Sequence, residues 1–457
     1  MQIVKKKILA IAGLFVLLGT ASCQKWTDET PQPLEVDESK IFSTEKGFRE
    51  ALNGVYLQMG APSLYGRDLT MGALSLAGRS YDSVSIKKVG YTYYQAASLN
   101  LNDASIKGYS ADVWNKMYSA IANVNNVLAN IENKQSIFSG DNYNTIKGEA
   151  LALRAYLHFD LLRMFAPAPA LDGFTNAAIP YVTVNDYKAT PVSTVGQVFD
   201  QCLVDLTDAD KLLNTNNLNT TQINGWAVKG LMARLYLYKG DKIKANEYAS
   251  AVINGQKFSL STTKADLFFA NESLFKLNVF GLNFYALRKS VFGAPALIGT
   301  SVSAQSALYG DLTPDYRKAF SLTLDDATKT GGIIPAKLAL SSANVFPMIR
   351  LTEMYYIAAE CTDDIPTALG YLNTVRKARG IIVDLTPATV TDAAALSTEI
   401  LNEYRKEFVG EGQVFFYYKR NNTAFTSLPF YTNNVEKPPL GRVAVVPNAT
   451  YTFVKPE

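Results

Sequence analysis

At 457 residues, 48% hydrophobic and 19% charged, the chain has material for a large core and is too apolar to be disordered. A net charge of +3 with no basic cluster argues against nucleic acid, and a single histidine removes most His-based catalysis and His-rich metal sites. Three cysteines, Cys23, Cys202 and Cys361, are too few and too scattered for a disulfide framework; the last two sit in helical patterns and read as small buried hydrophobes.

The start of the chain reads as an address. Lys5, Lys6 and Lys7 precede an apolar run over residues 8–19, then Thr20-Ala21-Ser22-Cys23. Basic, apolar and small-residue segments in that order form a secretory signal, and the run is short for a membrane span. A cysteine directly after small residues predicts a lipoprotein signal over 1–22, with Cys23 acylated, although Thr20 stands where Leu is usual. Residues 23–40, with Asp28-Glu29, Pro31 and Pro33, read as a polar tether. The remainder, 41–457, reads as one domain.

Residues 45–59 place Phe48, Leu52, Val55, Tyr56 and Met59 on one helical face, with Ser43 or Thr44 as cap. From 60 to about 110 the pattern breaks into Gly, Ser and Tyr with short apolar runs, and helical spacing returns over 112–131. Residues 146–164 carry two apolar rows, Ile146, Ala150, Leu153, Leu157, Leu161, Met164 and Ala152, Ala155, Phe159, Leu162. A helix with two apolar rows packs on two sides, so Glu149, Arg154, His158, Asp160 and Arg163 must find partners. Pro167 and Pro169 stop it.

Helices follow over 195–213 and 226–238. Ala233, Tyr236, Gly240, Ala245, Ala249 and Val252 then fall at the small and aromatic positions of a tetratricopeptide hairpin. A second hairpin spans 350–361 and 366–379, with Ala368, Leu372 and Val375 repeating the spacing, and 394–409 is a last helix. Between the hairpins, 258–346 is irregular and aromatic, and 423–457 reads as extended. The expected fold is mainly α, a scaffold of helix pairs bearing two irregular insertions with short strands, about 60–110 and 258–346.

Four blocks carry a resemblance. Lys147-Gly148-Glu149-Ala150, then Arg154-Ala155-Tyr156 and Phe159-Asp160-Leu161-Leu162, form the most specific; the others are residues 350–360, residues 371–380, and Arg405, Glu407, Phe408, Gly410, Glu411, Gly412 with Lys419-Arg420. In this order they resemble the SusD/RagB family of outer-membrane glycan-binding lipoproteins. Tyr404, Gln413 and Tyr417 depart from the usual pattern of the last block. The resemblance implies four tetratricopeptide-like helix pairs and no catalysis; with no Gly-rich phosphate loop and no Cys/His metal spacing, no cofactor and no metal-ligating residues are expected. It implies an oligosaccharide ligand (peptide in some relatives), a lipid anchor, and a SusC-type TonB-dependent transporter that the protein covers as a lid. Asp28-Glu29 resembles the signal that exports such lipoproteins to the cell surface.

Sugar rings present an apolar face and a polar edge, so a binder needs aromatic rings beside charged or amide groups. The first insertion offers Tyr65, Tyr81, Tyr91, Tyr93 and Tyr94 beside Arg67, Asp68, Arg79, Asp82, Gln95 and Asn100; the second offers Phe284, Tyr285, Phe292 and Tyr309 beside Asn283 and Arg288. The expected ligand contacts are Tyr65, Arg67, Tyr81, Asp82, Tyr94, Tyr285 and Arg288, with Tyr81-Asp82 foremost because Gly78-Arg79-Ser80 before them is turn-like. Tyr91 to Gln95 could equally be a packed strand. Neither insertion holds a Trp, which weakens a starch-like aromatic platform.

Glu149, Glu353 and Glu360 are the acids that a glycosidase reading would need. With Arg154 and Arg350 nearby in sequence, ion pairing between helices is the expected role. His158, one turn after Arg154, reads as a packed core residue. The competing class is a helical-repeat adaptor that binds peptide or protein.

Overall fold

The structure, a computed structural model, describes residues 38–82, 91–186, 188–263, 266, 269–279, 290–292, 298–310, 314–318, 345–432 and 443–456. Cys23, Tyr285 and Arg288 lie outside the described residues.

Eight helices form the scaffold. They are α1 (Glu45–Met59), α2 (Ala104–Ile131), α3 (Asn142–Phe165), α4 (Val195–Leu212), α5 (Gly225–Lys239), α6 (Lys242–Gly255), α7 (Leu351–Glu360) and α8 (Ile365–Ala378). They pack as four consecutive pairs, α1–α2, α3–α4, α5–α6 and α7–α8, and α2–α3, α4–α5 and α6–α7 join each pair to the next. That is the stacking of a tetratricopeptide-like array, in which no pair can bury its apolar face alone. Two more helices, α9 (Ala393–Glu407) and α10 (Gln413–Arg420), complete the set, α9 against both α7 and α8.

Local chemistry sets the ends of these helices. Thr44 caps α1 by accepting from the Gly47 N–H at 3.1 Å. Asp103 caps α2 by accepting from the Ser105 N–H, so that helix begins eight residues before the point where its apolar rows become legible. Thr194 and Gln197 form a reciprocal capping box at the start of α4. Between α5 and α6, Gly240 takes φ +92°, which favours glycine, and Asp241 caps α6 through the Lys244 N–H.

The central helix α3 carries the longest buried run among the described helices. From Gly148 to Phe165 every residue but Arg154 is buried. Gly148 lets α4 approach closely, since a Cβ there would stand 2.7 Å from Leu213 Cγ. In the α5–α6 hairpin Ala233, Ala245, Ala249 and Val252 are buried, while Tyr236 stacks on Tyr248 at 5.6 Å. Ala368, Leu372 and Val375 repeat this burial in α8.

The strands are few. β1 (Ala177–Pro180) and β2 (Val192–Thr194) pair antiparallel, as do β3 (Ser273–Asn278) and β4 (Val345–Arg350). The β3–β4 ribbon brackets the second insertion and packs against α5, with β3 also touching α1. Two short helices, Ala73–Ala77 and Tyr91–Ala97, lie in the first insertion, and Val302–Tyr309 lies in the second. The stretch from Tyr91 is therefore helix, not strand.

Candidate functional site

The polar residues of α3 find their partners on other elements. Glu149 receives both terminal nitrogens of Arg49 from α1, at 2.8 and 3.0 Å, and the Tyr56 hydroxyl at 3.0 Å. Burial raises the Glu149 pKa despite these donors. Arg154 grips Asp205 of α4 at 2.7 Å through both Nε and Nη2, and Tyr181 adds a hydroxyl to Asp205 at 2.6 Å. Asp160 pairs with Arg163 and accepts from Tyr65. Farther along the chain, Glu353 pairs with Arg234 of α5, and Glu360 with Arg420 of α10. Ion pairing is thus the role of the three candidate acids. Their partners, however, are Arg49, Arg234 and Arg420, not the Arg154 and Arg350 that lie near them in sequence.

His158 is packed. Its Nε2 accepts from the Val182 N–H at 3.0 Å, which makes Nδ1 the donor to the Arg154 carbonyl at 2.9 Å. The ring stacks on Tyr181 at 3.9 Å, and burial lowers its pKa to about 3. Cys202 is likewise buried and lies against the Ala155 carbonyl, whereas Cys361 at the end of α7 is half-buried.

A buried charge hub joins the later blocks. Arg350 reaches Glu407 at 2.7 Å and Glu411 at 3.0 Å; Arg379 reaches Glu272 at 2.7 Å and Glu407 at 2.8 Å. Arg317 from the second insertion adds Asp315 at 2.8 Å and Glu403 and Glu407 at 2.9 Å. Arg376 and Lys406 also pair with Glu403, so five cationic and five acidic side chains balance one another. Burial opposes ionisation of Glu407, yet Arg379, Arg350 and Arg317 hold its carboxyl well below the usual range. Glu403 is held to about 2, against burial, by Arg317, Lys406 and Arg376.

The two insertions meet beside this hub. The Asp82 N–H donates to the Gly299 carbonyl at 3.1 Å, and the Asp82 carboxylate accepts from the backbone and hydroxyl of Ser301. Tyr81 packs edge-on against Phe292 with ring centroids 5.4 Å apart. Tyr81 and Tyr65 are each only 3% exposed, their hydroxyls bound to the Met71 carbonyl and Asp160, so these rings join the core instead of facing solvent. Arg67 forks onto Asp68 at 2.8 and 3.0 Å and keeps 28% of its side chain exposed; Tyr93 donates to the same carboxylate. Tyr94 is half-buried one residue on, and Tyr91 is 63% exposed.

Arg79, a polar neighbour in the first insertion, and Arg405, part of the last family block, are not among the expected ligand contacts. Arg79, at φ +55°, donates to the carbonyls of Ala97, Pro429, Phe430 and Val443, pinning the first insertion to the C-terminal stretch. Its position in the turn-like Gly78-Arg79-Ser80 was the available signal. Arg405 lines a pocket of about 40 Å³ between this turn and the Val302–Tyr309 helix, enough for a few waters or one small group. A larger cleft of about 520 Å³ runs along the scaffold past Phe174, Gly240, Ile365, Leu396 and Arg420, and a 310 Å³ hollow shares Glu360 and Asn421 with it. Among the described residues no cluster of His, Cys, Asp and Glu could hold a metal ion, and no helix is long and apolar enough to cross a membrane.

Two family models match this chain in order. One, described as starch-binding associating with outer membrane, covers residues 34–237; the other, described as SusD family, covers residues 339–438. The chain belongs to the SusD/RagB family. A SusD-like protein of Formosa agariphila, P2, is 25% identical over 433 residues, covering 82% of this chain and 81% of the relative. The crystal structure of a SusD superfamily protein from Bacteroides vulgatus superposes with TM-score 0.69 at 26% identity, over 83% of this chain and 88% of the other. A SusD-like carbohydrate binding protein, also from Bacteroides vulgatus, shares the fold with TM-score 0.68 at 21% identity, over 83% of both chains. The family blocks read from the sequence coincide with the ion-paired helices and the charge hub.

Proposed function

We propose that this SusD/RagB protein is an outer-membrane lipoprotein that captures oligosaccharides and delivers them to a SusC-type TonB-dependent transporter. The observation that supports this most directly is the pair of family matches, which span both the early helix pairs and the charge hub. The second is the division of the molecule itself. The helix pairs are closed by buried ion pairs, and the half-exposed aromatic and charged groups of the first insertion, Tyr91, Tyr94 and Arg67, stand apart from them. In this reading Cys23 holds the lipid, residues 23–40 form the tether, and the protein faces the cell exterior. It is a binder without an active site, since Glu149, Glu353 and Glu360 are each engaged by a guanidinium.

Ligand contact on this reading falls to Arg67 and Tyr94, with Tyr285 and Arg288 proposed from the sequence alone. Tyr65 and Tyr81 serve as supports beneath that face. An oligosaccharide array probed with the soluble form starting after Cys23 tests the assignment. Selective retention of one glycan class is expected, and no retention of any glycan would overturn it. A second reading, a peptide-binding adaptor, is favoured by the 520 Å³ cleft, which lies on the scaffold and has a ligand-sized volume. Peptide capture with an empty glycan array would select it. Cys23→Ala should release the protein from the membrane fraction.

A further inference from the structure

The pocket beneath Gly78-Arg79-Ser80 has an unusual charge balance. Its lining includes three arginines, Arg79, Arg317 and Arg405, and no Asp or Glu. Arg317 is neutralised by Asp315, Glu403 and Glu407, and Arg79 is occupied by backbone carbonyls. Arg405 differs. It is half-buried on α9, and among the described residues no hydrogen bond or ion pair engages it. Ser80 and Thr300, from the two insertions, line the same pocket, and among the described residues no side chain bonds to the hydroxyl of either. Three residues with donor groups, from three segments, therefore border one small space that holds no carboxylate, with Gln305 and Tyr309 as the other uncharged polar side chains on its wall.

Charge and size together define what fits. A partly desolvated guanidinium without a counter-ion is under-compensated, and its planar fork matches a carboxylate or a sulfate oxygen pair. A volume of about 40 Å³ admits such a group and excludes a sugar ring. The start of the Val302–Tyr309 helix does not supply the attraction, because Asp82 already accepts there. The attraction is that of Arg405.

Resting on the capture reading above, we infer that Arg405, with Ser80 and Thr300, forms an anion subsite that selects oligosaccharides bearing a carboxylate or sulfate ester. The charged substituent enters the pocket while its ring stays outside, near the junction of the two insertions. A hydroxymethyl or methyl-ester group at the same position would leave Arg405 unpaired, so neutral chains bind more weakly.

The test is isothermal titration of the chain from residue 24, which retains every described residue. One arm uses oligogalacturonates against their methyl-esterified forms. The other uses sulfated galactan oligosaccharides against their desulfated forms. The arm with a preference identifies the anion. We expect at least a tenfold preference for the charged member of one pair, weakened by added salt as in other ion-pair recognition. Arg405→Gln should bring that preference close to one with the thermal midpoint kept, and Arg405→Lys should retain part of it. Equal affinity for charged and neutral members in both arms, or an Arg405→Gln variant that keeps the preference, overturns the subsite and leaves glycan capture standing. Binding of no oligosaccharide in either arm removes both.

Discussion

The helix scaffold and the loop face hold their arginines in different ways. On the scaffold guanidinium groups meet carboxylates, mostly from another helix, as in Arg49–Glu149, Arg154–Asp205, Arg234–Glu353 and Arg420–Glu360, and within α3 in Arg163–Asp160. On the loop face Arg67 and Arg317 are paired as well, but Arg79 is satisfied by carbonyls, and Arg405 of α9, at the edge of that face, meets no partner among the described residues. Paired charge fixes one helix relative to the next, because leaving either partner alone in the interior is costly. Unpaired charge at a pocket is available to something outside the chain. The same residue type thus builds in one region and is free to recognise in the other.

The comparison breaks most sharply at the hub. Glu407→Gln leaves Arg350, Arg379 and Arg317 short of one shared acceptor, and should lower stability by about 3–5 kcal/mol in urea unfolding. A loss under about 1 kcal/mol would mean that the hub does not fasten α7, α8 and α9 together.

Acid should act on the same region and on α3. His158 has its folded pKa lowered to about 3, so between the ordinary 6.5 and that value the unfolded chain binds the extra proton. Stability is then fully present above pH 6.5 and falls by about 1.4 kcal/mol per unit as pH drops through this window. Glu403 and Glu407, also lowered in the folded state, contribute further loss only below about 4.5. Thermal melts should show both stages, and His158→Gln should remove the upper one while sparing the lower.

Arg49→Met removes a bidentate partner that is a quarter exposed, so water compensates part of the loss; about 2 kcal/mol is expected by chemical denaturation. Arg79→Gln should change the global melt less and speed proteolytic cleavage near residues 429–430 and 443, since it frees the carbonyls that Arg79 gathers. The smallest effect belongs to Tyr81→Phe. Losing its 3.2 Å bond to the Met71 carbonyl should lower stability by about 0.5–1 kcal/mol and leave glycan affinity unchanged. A large loss of glycan affinity in that variant would return Tyr81 to the ligand face.

How much was legible depended on whether a signal is local. The two apolar rows of α3, the Gly240 turn and the small residues of the hairpins are periodic within a few residues, so helix pairs and family could be read directly. Caps were legible where a Thr or Asp stood beside a clear face, as at Thr44, and missed at Asp103 because the first two turns of α2 carry few apolar residues. Tyr65 and Tyr81 looked like ligand contacts because a tyrosine in a Gly-rich segment has the same sequence appearance whether its ring points outward or into the core.

By itself the sequence determined the helical class, the repeat and the family, because those rest on spacing along one chain. Tertiary structure decided who pairs with whom. Glu149 meets Arg49, 100 residues away, and Glu353 meets Arg234, 119 residues away; no spacing rule reaches across such distances. It also decided which arginine is left over. Arg405 and Glu407 sit two residues apart on α9, one facing a pocket and the other buried in the hub, and only the packing of the insertions against that helix tells them apart.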